Sequence, residues 1–239
     1  MTEHDKILYD KDIREPLFEF LEDVFGNIRI LEELPLGTSR ADILMVTGDA
    51  LTGIEIKSDA DSYVRLSGQV KDYDRFCDRC IIAAGSSHAA HVAEHVPAHW
   101  GIITVEETAD GPDFYLLRKP AENPEDVLEK QLDLLWRIEL KHIQDQNQLP
   151  KYKEKSKKFV AEKLLAKVPR EILKTQVLAE LFDRDYTAVR AETAEFRRGE
   201  IDKKLDEITD LQQKALLIIE KNLRKSQLKG RTRRKRRRR

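Results

Sequence analysis

The apolar positions of the first 120 residues fall into short blocks whose period keeps changing. From Ile13 to Phe25 the spacing of Ile13, Leu17, Phe20, Leu21 and Val24 predicts a helix, with Pro16 early enough to sit in its first turn. Ile28 to Leu34 reads as a strand. Ala41–Thr47 and Leu51–Lys57 are β-prone runs joined by Gly48-Asp49-Ala50, the pattern of a hairpin with Gly and Asp in its turn. Helical spacing returns over Val64–Phe76, at Leu66, Val70, Tyr73 and Phe76. Cys80–Ala84 then predicts a buried strand, His88–His95 a short helix and Trp100–Val105 another strand.

After Pro120 the strand patterns stop. Pro124–Asn147 predicts one amphipathic helix, through Val127, Leu128, Leu132, Leu135, Trp136 and Ile138. Ser156–Lys167 and Arg170–Phe182 predict two shorter helices separated by Pro169. Ile201–Leu223 predicts the longest, either a packed amphipathic helix or a short coiled-coil seam. The expected fold is an α/β core with an all-helical C-terminal region. Its expected division is a core over 1–120, a basic helical region over 121–229 and a disordered Arg-rich tail over 230–239.

Charge sharpens that division. The 239 residues carry 43 Lys and Arg against 44 Asp and Glu, a formal balance of −1, but residues 1–120 hold −11 and residues 121–239 hold +10. Eight of the last nine residues are basic. The front half is unsuited to broad phosphate binding and suited to holding divalent cations, whereas the back half suits a polyanion; a merely solvated surface is the plain alternative. No apolar run approaches the roughly 20 residues of a membrane span. Met1–Lys11 is charged throughout, so no secretory signal is expected. Two cysteines exclude a disulfide framework, and the expected compartment is the cytoplasm.

Asp42 stands early in one predicted strand and Glu55-Ile56-Lys57 ends the next. Alternation sends Glu55 and Lys57 to one face and Ile56 to the other. If the strands pair as a hairpin, Asp42 comes close to Glu55. Two adjacent carboxylates repel unless a cation or proton lies between them, and Mg²⁺ suits one or two carboxylates. A lysine beside them would orient water or stabilise charge on a phosphoryl oxygen.

Asp42, a hairpin's length of sequence and then Glu55-Ile56-Lys57 resemble the D…(D/E)xK signature of the PD-(D/E)xK nuclease superfamily. Arg65, Leu66 and Gln69, then Tyr73, resemble the helix that carries a motif glutamine in many members. Glu15 stands where several keep an auxiliary acid. The likeness runs from about Asp12 to Arg184 and fits a small bacterial and phage branch, with Arg40-Ala41-Asp42 replacing the literal Pro-Asp. It implies a restriction-endonuclease-like core, in which Asp42, Glu55 and the Ile56 carbonyl bind Mg²⁺ or Mn²⁺. Lys57 would orient the hydrolytic water, with Gln69 and Glu15 as further catalytic residues. The implied function is metal-dependent hydrolysis of DNA in repair, phage replication or defence. The alternative is a non-catalytic nucleic-acid-binding module on a nuclease-like scaffold. A homodimer through Ile201–Leu223 is compatible with either.

Other features have plainer readings. His88, His91 and His95 share helical spacing that would suit zinc, but a half-exposed histidine-bearing helix is favoured. Cys77-Asp78-Arg79-Cys80 lacks the second pair of a zinc ribbon and reads as two semi-buried thiols. Asp59 and Asp61 either cap a helix or support a metal site. Lys151–Arg170 holds eight basic and two acidic residues, with Tyr152 and Phe159 interspersed, and reads as a phosphate-binding surface. The paired helices around Pro169 also suggest a helix-turn-helix, a pattern helical bundles share.

Overall fold

The computed structural model describes residues 7–152 and 154–186. The predicted Ile201–Leu223 helix, with any dimer seam on it, and the Arg-rich tail lie outside the described residues. The described residues up to 184 belong to one compact unit.

The sheet has six strands in sequential order: β1 (Arg29–Leu36), β2 (Ser39–Val46), β3 (Leu51–Lys57), β4 (Arg79–Gly85), β5 (Gly101–Thr108) and β6 (Gly111–Arg118). Pairings β1–β2, β2–β3 and β5–β6 are antiparallel, while β3–β4 and β4–β5 are parallel. The fold is therefore α/β with a mixed sheet. The β2–β3 hairpin forms at the predicted place, closed by Thr47, whose amide donates to the Ala50 carbonyl at 2.9 Å. Each parallel step needs a crossover. Helix α2 (Leu66–Phe76) supplies the first; the second runs through the short α3 (Ser86–Ala89) and a 3-10 turn at Val92–Glu94.

Alternation along the strands builds two cores. Ile43, Met45, Ile54, Ile56, Ile81, Ala83, Ile103 and Val105 face α1 (Asp10–Phe25), which presents Ile13, Leu17 and Leu21. Leu44, Val46, Leu51, Cys80, Ile82 and Ala84 face the other way. That second core includes α2 and residues of α4 (Leu128–Leu134), α5 (Arg137–Gln146), α6 (Lys157–Lys167) and α7 (Arg170–Phe182). Strand β3 is central and buried along its whole length.

Two expectations change here. The single helix over Pro124–Asn147 is broken, because Leu135 is extended and Trp136 starts a new helix. The Glu139 carboxylate accepts the Trp136 amide at 2.6 Å and caps α5, which periodicity does not register. The helix over His88–His95 is likewise only α3 and the separate 3-10 turn. Strand β6 is an addition to the predicted elements, reached through the Asp110-Gly111 turn.

Candidate functional site

Residues 53, 55 and 57 of β3 share the face that meets α2. Gly53 must be glycine, since a Cβ there would lie 2.5 Å from the Tyr73 ring. Tyr73 thereby reaches across the hairpin: its hydroxyl accepts the Asp42 amide at 3.1 Å and donates to the Ile54 carbonyl at 3.2 Å. The ladder pairs Ile43 with Ile54, so one step further Asp42 stands opposite Glu55.

Around this clamp the polar side chains converge. Glu55 Oε1 accepts from Lys57 Nζ at 2.7 Å and from Gln69 Nε2 at 2.5 Å, and Lys57 also donates to Gln69 Oε1 at 3.2 Å. Gln69 and Tyr73 are four apart on α2, so one helical face delivers both. Asp42 Oδ2 accepts the Ile56 amide at 2.9 Å. Thus Asp42, Glu55, Lys57 and Gln69 meet as the sequence suggested, with the backbone of Ile56 as a holder of Asp42. Burial first, and then the Glu55 charge, push Asp42 up to about 7 against that hydrogen bond. Glu55 and Lys57 side chains are 1% and 5% exposed, while Asp42 is 23% exposed. Glu55 Oε2 is buried without a hydrogen-bond partner.

Glu15 is exposed on α1, and it is the preceding Arg14 that reaches the site. Its guanidinium donates to the Asp42 carbonyl at 3.1 Å and pairs with Asp10 and Glu33. Arg14 lies one 100° step nearer than Glu15 to the Ile13 face of α1, and the packing of that helix on the sheet decides which of the two reaches the hairpin.

The remaining candidates separate. His88 contacts the Asp61 carbonyl, His91 pairs with Glu94, His95 stacks on Tyr63 with ring centroids 4.0 Å apart, and His99 contacts Asp74. Asp59 accepts the Ser87 amide at the start of α3, and Asp61 accepts the Ser58 amide. Cys77 and Cys80 are free and buried, and burial pushes the Cys80 thiol up.

A second polar surface lies on α6. Ser156 caps this helix by accepting the Phe159 amide. Phe159 meets Tyr152 edge to face at 5.4 Å, and the ammoniums of Lys155 and Lys163 lie 5.5 and 5.2 Å from its centroid. Lys151, Lys155, Lys158 and Lys167 are exposed. Lys157 instead turns inward to the Asp133 carbonyl at 2.6 Å, and burial lowers its pKa.

Comparison with known proteins decides the family. A family model described as Bacteriophage P4 protein cII matches residues 4–231. The chain belongs to the bacteriophage P4 cII family. A curated relative, Protein cII of Enterobacteria phage P4, is 25% identical over 118 residues. Those residues are 48% of this chain and 44% of that protein, so the match spans less than half of the relative. No solved structure matches.

No nuclease family is indicated, which overturns the superfamily membership inferred from the D…ExK spacing and the DNA-hydrolysing activity built on it. The spacing misled for a physical reason. A hairpin followed by a covering helix brings the same side chains together whenever a short buried polar cluster is needed. In this P4 cII-family chain Lys57 and Gln69 are committed to Glu55, and that carboxylate is closed to the surface. None of the helices among the described residues is long and apolar enough to cross a membrane.

Proposed function

We propose that this P4 cII-family chain is a non-catalytic nucleic-acid-binding module. The observation that carries the reading is the α6 surface, where the ammoniums of Lys155 and Lys163 flank the Phe159 ring and Lys151, Lys155, Lys158 and Lys167 are exposed. Lysines at this density neutralise phosphates and release counterions, and an aromatic ring among them offers a face to an unstacked base. DNA is the favoured polyanion. The basic C-terminal residues would add to the same electrostatic attraction.

The Asp42–Glu55 cluster is proposed to hold a divalent cation, Mg²⁺ or Mn²⁺, beside that function. Two observations support such an ion: one buried Glu55 oxygen has no partner, and Asp42 is raised by burial first and then by the facing Glu55 carboxylate. A bound ion would neutralise the pair. Asp42 and Glu55 would supply oxygen ligands, with the Ile56 carbonyl as a third, while Lys57 and Gln69 hold Glu55 in place.

The experiment measures binding of fluorescently labelled single- and double-stranded DNA to the full chain, with Mg²⁺ and with EDTA, followed by denaturing electrophoresis of the recovered DNA. The expected result is binding that weakens steeply with salt and DNA recovered at full length. Absence of binding at low salt would refute the module reading. Shortened DNA that depends on Mg²⁺ and on Asp42 would refute its non-catalytic part.

A further inference from the structure

Phe159, Lys163 and Lys167 follow one another along α6 at four-residue steps, about 6 Å apart along the axis, and Lys155 precedes them just outside the helix. The row therefore reads cation, ring, cation, cation. Phe159 is half-buried, with the Tyr152 ring edge to face at 5.4 Å and the ammoniums of Lys155 and Lys163 at 5.5 and 5.2 Å from its centroid. This aromatic pair is not a completed piece of core. The Tyr152 hydroxyl is buried without a hydrogen-bond partner, whereas a hydroxyl closed into an interior ordinarily has one. Lys157–Lys167 contains no Arg, Asn or Gln, the forked side chains that read base edges.

We infer that α6 holds single-stranded DNA in preference to duplex, and holds it without reading its sequence. The preference rests on α6 being the nucleic-acid surface proposed above. A duplex keeps its base faces stacked inside and offers this row phosphates alone, so the Phe159 ring gains nothing from it. A single strand offers phosphates and base faces together. In the free chain the two ammoniums attend the ring, but both stand on flexible stems. A phosphate draws each of them into a stronger, charge-assisted contact, and the uncovered ring is then free to stack on a base. Every base has a π-face, and α6 lacks the forks that distinguish base edges, so the strand is held whatever its sequence.

The test is fluorescence anisotropy of labelled oligo-dT bound to the full chain. Unlabelled single strands of mixed sequence, or the duplex they form, displace it at equal nucleotide concentration and fixed salt. Single strands should displace the probe at a concentration about tenfold lower than duplex does, and unlabelled oligo-dT and mixed sequence should compete alike. F159L keeps an apolar side chain but removes the ring, so it should lose most of that preference while binding duplex as the wild type does. F159Y should keep the preference, and circular dichroism checks the fold of both variants. Equal competition by duplex, or an undiminished preference in F159L, would overturn the inference. Loss of the preference in F159Y as well would mean packing rather than stacking, and would overturn it too. A marked ranking among sequences would overturn its sequence independence. A chain that binds neither form refutes the nucleic-acid reading itself, which binding without preference leaves standing.

Discussion

Two buried glutamates among the described residues are satisfied differently. Glu139 is closed on every side: Arg184 Nε and Nη2 donate to its two oxygens at 2.7 Å each, and the Trp136 amide donates to Oε2. The guanidinium lies over the Trp136 ring at 4.1 Å and also donates to the Leu134 carbonyl. Glu55 is equally buried, but its two donors crowd onto Oε1 and Oε2 has none, with a second carboxylate opposite. A buried charge needs all its lone pairs satisfied to repay desolvation. The Glu139 carboxylate meets that condition and joins α5 to the segment after α7, although Nη1 of its partner Arg184 is buried without a hydrogen-bond partner. Glu55 does not, and the cation proposed for the Asp42–Glu55 cluster would supply what its free oxygen lacks.

Substitutions should separate the two. Glu139→Ala strands the Arg184 charge and removes the cap of α5, so it should cost about 3–5 kcal/mol, read by chemical denaturation. Glu55→Gln should cost less, about 1–2 kcal/mol, because lost pairing to Lys57 is offset by relief of the repulsion with Asp42. Equal losses would mean that both clusters are structural. Mg²⁺ sharpens the contrast: it should raise the melting temperature of the wild type and leave that of Glu55→Gln unchanged.

The pH dependence of stability has a defined sign. Asp42 is raised from 3.8 to about 7, so the folded state holds its proton more tightly than the unfolded chain does. This contribution is fully present below about pH 4 and is lost as pH rises towards 7, at about 1.4 kcal/mol per unit between the two values. Asp42→Asn should remove that decline, and above pH 7 without divalent ions it should match or exceed the wild type in stability. If the wild type and Asp42→Asn run parallel between pH 4 and 7, the carboxylate pair is not coupled as the geometry requires.

Much of this site was legible before any coordinates, because strand and helix periods are geometric. Glu55 and Lys57 share a face by alternation, and Gln69 and Tyr73 share one by the four-residue repeat. What stayed hidden depends on tertiary placement. Arg14 differs from Glu15 by one step around α1, and only the packing of that helix on the sheet selects between them. Strand β6 begins with Gly111-Pro112 and has no fully buried residue, only half-buried positions alternating with exposed ones from Asp113 on, so its pattern is faint. The break at Leu135 follows from the cap that the Glu139 carboxylate makes on the Trp136 amide. The family itself lay beyond the reach of periodicity: residues that converge in space do not by themselves say what is done there.

The central claim is that the chain holds nucleic acid through the lysines around Phe159. The most direct measurement is affinity for labelled DNA over a salt series, comparing wild type with a Lys155→Ala, Lys158→Ala, Lys163→Ala triple variant of the full chain. The account predicts weaker binding and a log–log salt slope shallower by about 2–3, close to 0.9 for each duplex phosphate that is no longer neutralised. An affinity and a slope identical to those of the wild type would contradict it.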